Sequence, residues 1–125
     1  MSKEITYQDV VVKDDPWGTR YRFHDKDGLL IFDRYYIRFS IHRIGGPAEI
    51  YYYDDGTVEK EVWYVKNVRH RETGPAEIHY DDDNKICYTG YWLFGVLIAD
   101  NQDAFQKHLE TKFDKSKAER FNSII

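Results

Sequence analysis

The chain has a single cysteine, Cys87, among its 125 residues. An internal disulfide is therefore excluded, and a zinc site could draw no more than one thiolate from this sequence. No apolar stretch approaches the roughly 18 residues of a membrane-spanning helix. The start of the chain lacks the pattern of a signal peptide. These absences predict a soluble, intracellular (cytoplasmic) protein without a membrane partner. Charge of one sign is also scarce: 18 basic against 22 acidic residues leave a net charge of −4. The longest basic run, Arg69-His70-Arg71, is closed by Glu72. A balance of this kind does not suit a phosphate-tracking surface, so nucleic acid is an unfavoured partner. A binder that works by stacking bases on aromatic rings is disfavoured by the same charge. There is no glycine-rich phosphate loop, no serine nucleophile elbow and no His–Cys pair.

Aromatic residues are abundant: 11 Tyr, 7 Phe and 3 Trp make 17% of the chain. Aromatics favour strands, and a tyrosine can bury its ring while its hydroxyl stays wet. A thin sheet with two half-wet faces needs that kind of residue.

The string Gly46-Pro47-Ala48-Glu49-Ile50 returns 28 residues later as Gly74-Pro75-Ala76-Glu77-Ile78. Residues 42–69 laid on 70–97 without a gap match at 11 of 28 positions, including His42/His70, Arg43/Arg71, Tyr52/Tyr80 and Asp55/Asp83. A worn third copy, 14–41, precedes them, with Gly28 on Gly56, Tyr36 on Tyr64, Phe23 on Tyr51, and Tyr35/Trp63/Tyr91 as an aromatic column. A period of this length is the signature of a repeat architecture, whose terminal units are expected to diverge.

Within one unit Pro47 suits the first residue of a strand. Ala48, Ile50 and Tyr52 then point to one face, and Glu49, Tyr51 and Tyr53 to the other. The first set persists in the next unit and is read as the packing face, with Ile50 and Ile78 in the core; the second drifts and is read as wet. Asp54-Asp55-Gly56 and Asp82-Asp83-Asn84 are hairpin tips. Second strands follow over 58–65 and 86–93, and Lys66-Asn67 and Phe94-Gly95 turn the chain onward. A strand is expected over 5–12 and a turn at 14–18. After Ala99, Asp100 or Asn101 caps a helix that spaces Phe105, Leu109 and Phe113 at i, i+4 and i+8; Phe121, Ile124 and Ile125 add a further turn. The predicted fold is mainly β: one domain, an antiparallel meander of tandem 28-residue β-hairpin repeats. Its parts are an N-terminal strand (1–13), a divergent repeat (14–41), two regular repeats (42–69 and 70–97) and a helical tail (98–125) that caps the array.

The pattern Gly46-Pro47-Ala48-Glu49-Ile50, Asp55-Gly56, Trp63-Tyr64, His70-Arg71 and Gly74-Pro75-Ala76 resembles a hairpin repeat of small phage and large-DNA-virus proteins. It is similar to the wider class of MORN-type hairpin repeats and to antitoxin-like bacterial repeat proteins. The ending Tyr91-Trp92-Leu93-Phe94-Gly95, followed by a helix containing Phe105, resembles the way those viral proteins finish. The departure from MORN repeats proper is the Gly-Pro-Ala start in place of a glycine-rich one. The resemblance, over residues 14–112, implies a hairpin array that binds proteins in a phage-infected bacterium.

The chemistry-bearing residues are read structurally. His42 and His70 recur once per unit, as a loop-orienting residue does, although a shared metal or proton pair is an alternative. Asp81-Asp82-Asp83 lacks the spaced ligands of a calcium loop. Glu49 and Glu77 are expected to form cross-strand ion pairs with residues such as Lys60 or Arg71, rather than an acid–base pair. Cys87 is expected to be a buried or half-buried thiol. No catalytic, metal or cofactor site is assigned. Tyr51, Tyr53, Trp63, His79 and Tyr91 fall on strand positions that can share one face and form the expected protein-binding surface. The expected function is non-enzymatic protein binding, in its concrete form a phage accessory protein that binds or inhibits a host defence factor. The alternatives are a bacterial antitoxin or immunity protein, and a small hydrolase-type enzyme with its site at a hairpin edge. An open meander leaves unpaired edges, so a homodimer or a partner-bound edge is expected, at the divergent N-terminal side.

Overall fold

The computed structural model describes residues 7–15 and 18–111, with residues 7–15 and 111 described by their backbone alone. The elements run β1 (Tyr7–Asp15), β2 (Gly18–His24), β3 (Leu30–Ile37), β4 (Ser40–Ile41), β5 (Glu49–Tyr52), β6 (Val58–Val62), β7 (Tyr64–Val65), β8 (Val68–Arg69), β9 (Glu77–Tyr80), β10 (Ile86–Leu93), β11 (Val96–Ala99) and α1 (Gln102–Thr111). The fold is a mainly β antiparallel sheet with one helix near the C-terminal end of the described residues. Its order is β1-β2-β3-β5-β6-β9-β10-β11; β4 hangs on β3, and β7 and β8 make a separate ladder.

Turn chemistry shapes the hairpins. At the long tips the chain reverses through Gly28, Gly56 and Asn84, all at positive φ (84°, 90° and 64°). The same pair of backbone bonds closes each: Gly28 to Asp25 and Asp25 to Leu29, Gly56 to Tyr53 and Tyr53 to Thr57, Asn84 to Asp81 and Asp81 to Lys85. Beyond each tip the ladder slips by one residue. Phe23 faces Phe32 but His24 faces Leu30; Tyr51 faces Lys60 but Tyr52 faces Val58; His79 faces Tyr88 but Tyr80 faces Ile86. Ile31, Glu59 and Cys87 are the extra residues of these bulges. At the other end the reversals are two residues long, at 38–39, Lys66-Asn67 and Phe94-Gly95, between the pairs Ile37–Ser40, Val65–Val68 and Leu93–Val96.

The first strand differs from expectation in extent. It runs to Asp15, which pairs with Gly18, so strand pairing enters the predicted turn at 14–18, of which residues 16 and 17 lie outside the described residues. The predicted strand over 58–65 is also interrupted: β6 stops at Val62, and Tyr64 and Val65 leave for the small ladder with β8. The helix is capped by Asn101, whose Oδ1 accepts the Ala104 N–H at 2.9 Å. Phe105 is fully buried with Tyr91 and Leu93, and Leu109 packs against them. Phe113, Phe121, Ile124 and Ile125 lie outside the described residues. A second cluster, Phe23, Ile31 and Phe32, sits at the other end, with Tyr21 and Tyr51 against it.

Candidate interaction faces

Residues opposite each other in an antiparallel pair share a face, so the registers assign both faces. Face 1 carries Phe23, Phe32, Tyr51, Lys60, His79 and Tyr88 in one row and Tyr21, Arg34, Glu49, Val62 and Glu77 in the next. Face 2 carries the row Arg22, Asp33, Ile50, Glu61, Ile78 and Thr89. One step along the same ladders, Tyr35, Ala48, Trp63, Ala76 and Tyr91 line up across face 2, with Tyr35 donating to the Ala48 carbonyl and Trp63 to that of Ala76. Ala48 and Ala76 have no exposed surface.

This column explains the His-Arg-x-x-Gly-Pro-Ala motif. The Arg43 guanidinium lies 4.0 Å from the centre of the Tyr35 ring, and that of Arg71 lies 3.8 Å from the centre of the Trp63 ring. Each donates from Nη1 to the proline carbonyl four residues on, at 3.2 and 3.0 Å. Each also passes over the bare glycine of its motif: a Cβ on Gly46 would fall 2.9 Å from the Arg43 guanidinium, and one on Gly74 would fall 3.1 Å from that of Arg71. For Tyr91 the arginine's place over the ring is taken by Phe105 of α1, at 4.7 Å.

The histidines clasp the two-residue turns. His42 Nδ1 accepts the Lys66 N–H at 3.2 Å, and His70 Nδ1 accepts the Phe94 N–H at 2.9 Å. The next amide of each turn donates to the chain beside the histidine: Asn67 to the Ile41 carbonyl and Gly95 to that of Arg69. Both imidazoles are buried. Burial holds both below the ordinary histidine pKa; Lys66 adds to this at His42, while Glu72 opposes it at His70. A protonated Nδ1 would point a proton at an amide proton, so the fold requires the neutral Nε2–H form. The loop-orienting reading of these residues is the one the geometry supports.

Buried carboxylates sit on both faces. On face 2 Asp33 receives Arg22 at 2.9 Å and the Tyr52 hydroxyl at 2.7 Å; further along, Glu61 receives the Tyr80 hydroxyl at 2.6 Å. Burial and these carboxylates push both phenols up to about 12. On face 1 Glu49 receives Arg34 at 2.7 Å and the Tyr51 hydroxyl at 3.3 Å. Glu77 lies 2.6 Å from His79 Nε2 and 3.5 Å from Arg69. Two expectations are corrected here. Glu49 is not wet but 4% exposed, and its ion partner is Arg34 rather than Lys60 or Arg71. Ile50 and Ile78 share a face as expected, but they are half-buried and not core.

The five expected binding residues do not form one stripe. Tyr51 and His79 are on face 1, half-buried. Tyr51 stacks on Phe32 at 5.1 Å with the Lys60 ammonium 4.5 Å over its ring. His79 tilts against Tyr88 at 4.9 Å. Tyr53 sits at the hairpin-tip end, with its hydroxyl donating to the Tyr80 carbonyl. Trp63 and Tyr91 are on face 2, Trp63 under Arg71 and Tyr91 buried beneath Phe105. Lys60, expected only as an ion-pair partner, and Tyr88, not singled out in the sequence, complete the face 1 row; only the register places them there. Phe39, 98% exposed at the tip of the first two-residue turn, also carried no sequence signal. Cys87 is exposed rather than buried. The Asp81, Asp82 and Asp83 carboxylates lie within 4.8 Å of one another. Asp81 Oδ1 is occupied by the N–H groups of Asp83 and Lys85, as a turn-closing residue is. Among the described residues no helix is long and apolar enough to cross a membrane.

Comparison with protein-family models, with curated proteins and with solved structures finds no match.

Proposed function

We propose that the chain is a protein-binding module built from tandem 28-residue hairpin units, which engages its partner through face 1 and not by catalysis. Support for the units comes from contacts that recur at that interval: the histidine clasp, the arginine over its ring and glycine, the glycine or asparagine tip, and the bulge. Support for binding comes chiefly from one observation, the half-exposed row Tyr51, Lys60, His79 and Tyr88 that crosses four strands of face 1. Rings joined to flanking charge on a rigid sheet are the composition of an interface. The partner proposed is a protein, and the narrower form, a phage accessory protein acting on a host defence factor, rests on the sequence resemblance alone. The antitoxin reading shares that basis. The enzyme reading has one observation in its favour, the Glu77–His79 contact at 2.6 Å.

The test is capture of partners from bacterial lysate by the wild-type chain and by the double variant Lys60→Glu, His79→Ala. Both residues are half-exposed, so thermal unfolding should change little while the captured protein is lost. Retention of every captured protein by a folded double variant would move the binding surface off face 1.

A further inference from the structure

The charges of face 1 are unbalanced where a partner can reach them. The carboxylates of its rows are engaged within the protein: Glu49 by Arg34 and the Tyr51 hydroxyl, Glu77 by His79 and Arg69. The Lys60 ammonium stands 4.5 Å over the Tyr51 ring and has no carboxylate partner among the described residues. Arg38, exposed at the first two-residue turn, has none among them either. Arg38 and its neighbour Phe39 rim a hollow of about 320 Å³ walled by Tyr21, Phe23 and Tyr36. Tyr21 and Phe23 belong to the rows of face 1, and Tyr36 stands edge-on to Tyr21 at 5.4 Å, so the hollow continues that face. Phe39 is 98% exposed. Asn67 and Gly95 hold its place in the later turns, so the turn itself does not require a ring there.

The accessible acids lie elsewhere: Asp54, Asp55, Glu59 and Asp82 line a cleft at the hairpin tips. Face and tips therefore carry opposite charge. A nucleic-acid strand, with a negative phosphate at every nucleotide, suits the face but is repelled at the tips. A polypeptide places its carboxylates singly and can match the face without reaching them. We infer that face 1 takes an acidic segment of a partner protein, which seats an apolar side chain in the hollow and sets one carboxylate on Arg38 and a second on Lys60. That occupant presupposes the proposed use of face 1 and specifies the chemistry of what binds there. The spacing follows from the sheet. The hollow lies on β2 and β3, and Lys60 lies on β6, two strands beyond β3. At about 4.8 Å per strand the span is roughly 10–15 Å, which an extended segment covers in about three to five residues. The segment therefore carries an apolar residue beside one Asp or Glu, with a further Asp or Glu about four residues away.

Selection of a displayed library of random peptides on the immobilised wild-type chain reads this chemistry without a known partner. Enriched peptides should carry the acidic and apolar pattern. A labelled synthetic copy of one should bind with an affinity that falls as salt rises. Phe39→Ala and Lys60→Glu should each weaken that peptide about tenfold or more. Thermal unfolding of Phe39→Ala should hold, because Phe39 has almost no buried surface to lose. Should Lys60→Glu unfold, Arg38→Glu makes the same test at an exposed residue. Enriched peptides without acidic bias that are still lost in these variants would keep face 1 as the binding surface and overturn its acidic occupant. Peptides indifferent to every variant would overturn face 1 as well. A library from which nothing is enriched counts against the acidic segment. So does a labelled oligothymidylate that binds the wild type, displaces the peptide and is lost in the same variants, since the face would then belong to single-stranded nucleic acid.

Discussion

The hairpins β5–β6 and β9–β10 carry the same motif and make the same backbone contacts, and they differ in what lies beyond them. A further strand flanks β6 along Lys60, Glu61 and Val62; among the described residues no strand pairs with β10 on that side at Tyr88 and Thr89, where only the Asp100 carbonyl accepts the Thr89 hydroxyl. Consequently Lys60, a charged residue, is half-buried, while Tyr88 at the same place 28 residues on is exposed. The paired acids also differ, although each lies between two strands: the Glu49 side chain is 5% exposed, and that of Glu77 is 12% exposed with a histidine beside it. In such a sheet burial is set by the neighbouring strand more than by residue type, and the last hairpin needs a substitute neighbour. Phe105 is part of that substitute.

The largest effect should follow from removing it. Phe105 is fully buried over Tyr91, and Phe105→Ala should cost about 3–5 kcal/mol in urea unfolding. Arg71→Ala, which strips the matching cover from Trp63, should cost only about 1–2 kcal/mol, because a cation over a ring and one hydrogen bond are lost rather than a packed core. Equal losses would mean that the helix and the arginine are interchangeable covers and that the two hairpins do not differ.

Glu49→Ala comes next. It leaves the part-buried Arg34 without its carboxylate and the Tyr51 hydroxyl without its acceptor, and should cost about 2–4 kcal/mol. Glu77→Ala should cost about 1 kcal/mol, since Glu77 and its partners Arg69 and His79 are better solvated. The double variant Glu49→Ala, Arg34→Leu should recover part of the first loss and separates an unpaired charge from lost packing. A Glu77→Ala cost as large as that of Glu49→Ala would erase the difference between an inner and an outer hairpin.

The positions of the turns, the helix and its cap were legible because glycine, asparagine and proline chemistry is local. The two faces were not. Without a slip in the ladder, Tyr51 would share its face with Glu59, Glu61 and Trp63, and His79 with Cys87, Thr89 and Tyr91. That is the stripe the sequence suggested. One extra residue in each hairpin, Glu59 and Cys87, reverses the face of everything after it, and no residue type announces a bulge there. The burial of Glu49 was hidden for a related reason, since its partner Arg34 stands two strands back in the sequence and next to it in the sheet.

The histidine clasps should give a smaller, pH-dependent effect. Both folded-state pKa values lie below the unfolded value, so the unfolded chain binds protons first. The stabilisation is complete above about pH 6.5 and is lost as the pH falls from there through the folded pKa. Between the two pKa values each histidine contributes a slope of at most about 1.4 kcal/mol per pH unit. At His70 the Glu72 carboxylate opposes the effect of burial, and at His42 Lys66 reinforces it. His42→Gln and His70→Gln should each flatten the stability profile below about pH 6.5, at a cost of about 1 kcal/mol at neutral pH. A wild-type profile that is flat over this window would show that the imidazoles stay neutral without cost, or that the clasps are not formed.

The smallest effect belongs to the tips. Gly56 and Asn84 hold the same turn place at φ of 90° and 64°, and asparagine is among the few residues that enter this region cheaply. Asn84→Gly relieves the remaining side-chain penalty in the folded hairpin and raises the backbone entropy of the unfolded chain. The two changes oppose each other, so the net shift should stay within about 0.5 kcal/mol. At Gly56 no such balance exists: an Ala placed at φ of 90° gains unfolded-state rigidity but must take a backbone conformation that L-residues avoid, and it should lose about 1–2 kcal/mol. Nothing lies within 4 Å of a Cβ built on Gly56, so that loss would be conformational and not a clash. Thermal unfolding of the two single variants side by side checks this, and a loss above 1 kcal/mol for Asn84→Gly would mean that the asparagine side chain does more at its tip than tolerate the turn.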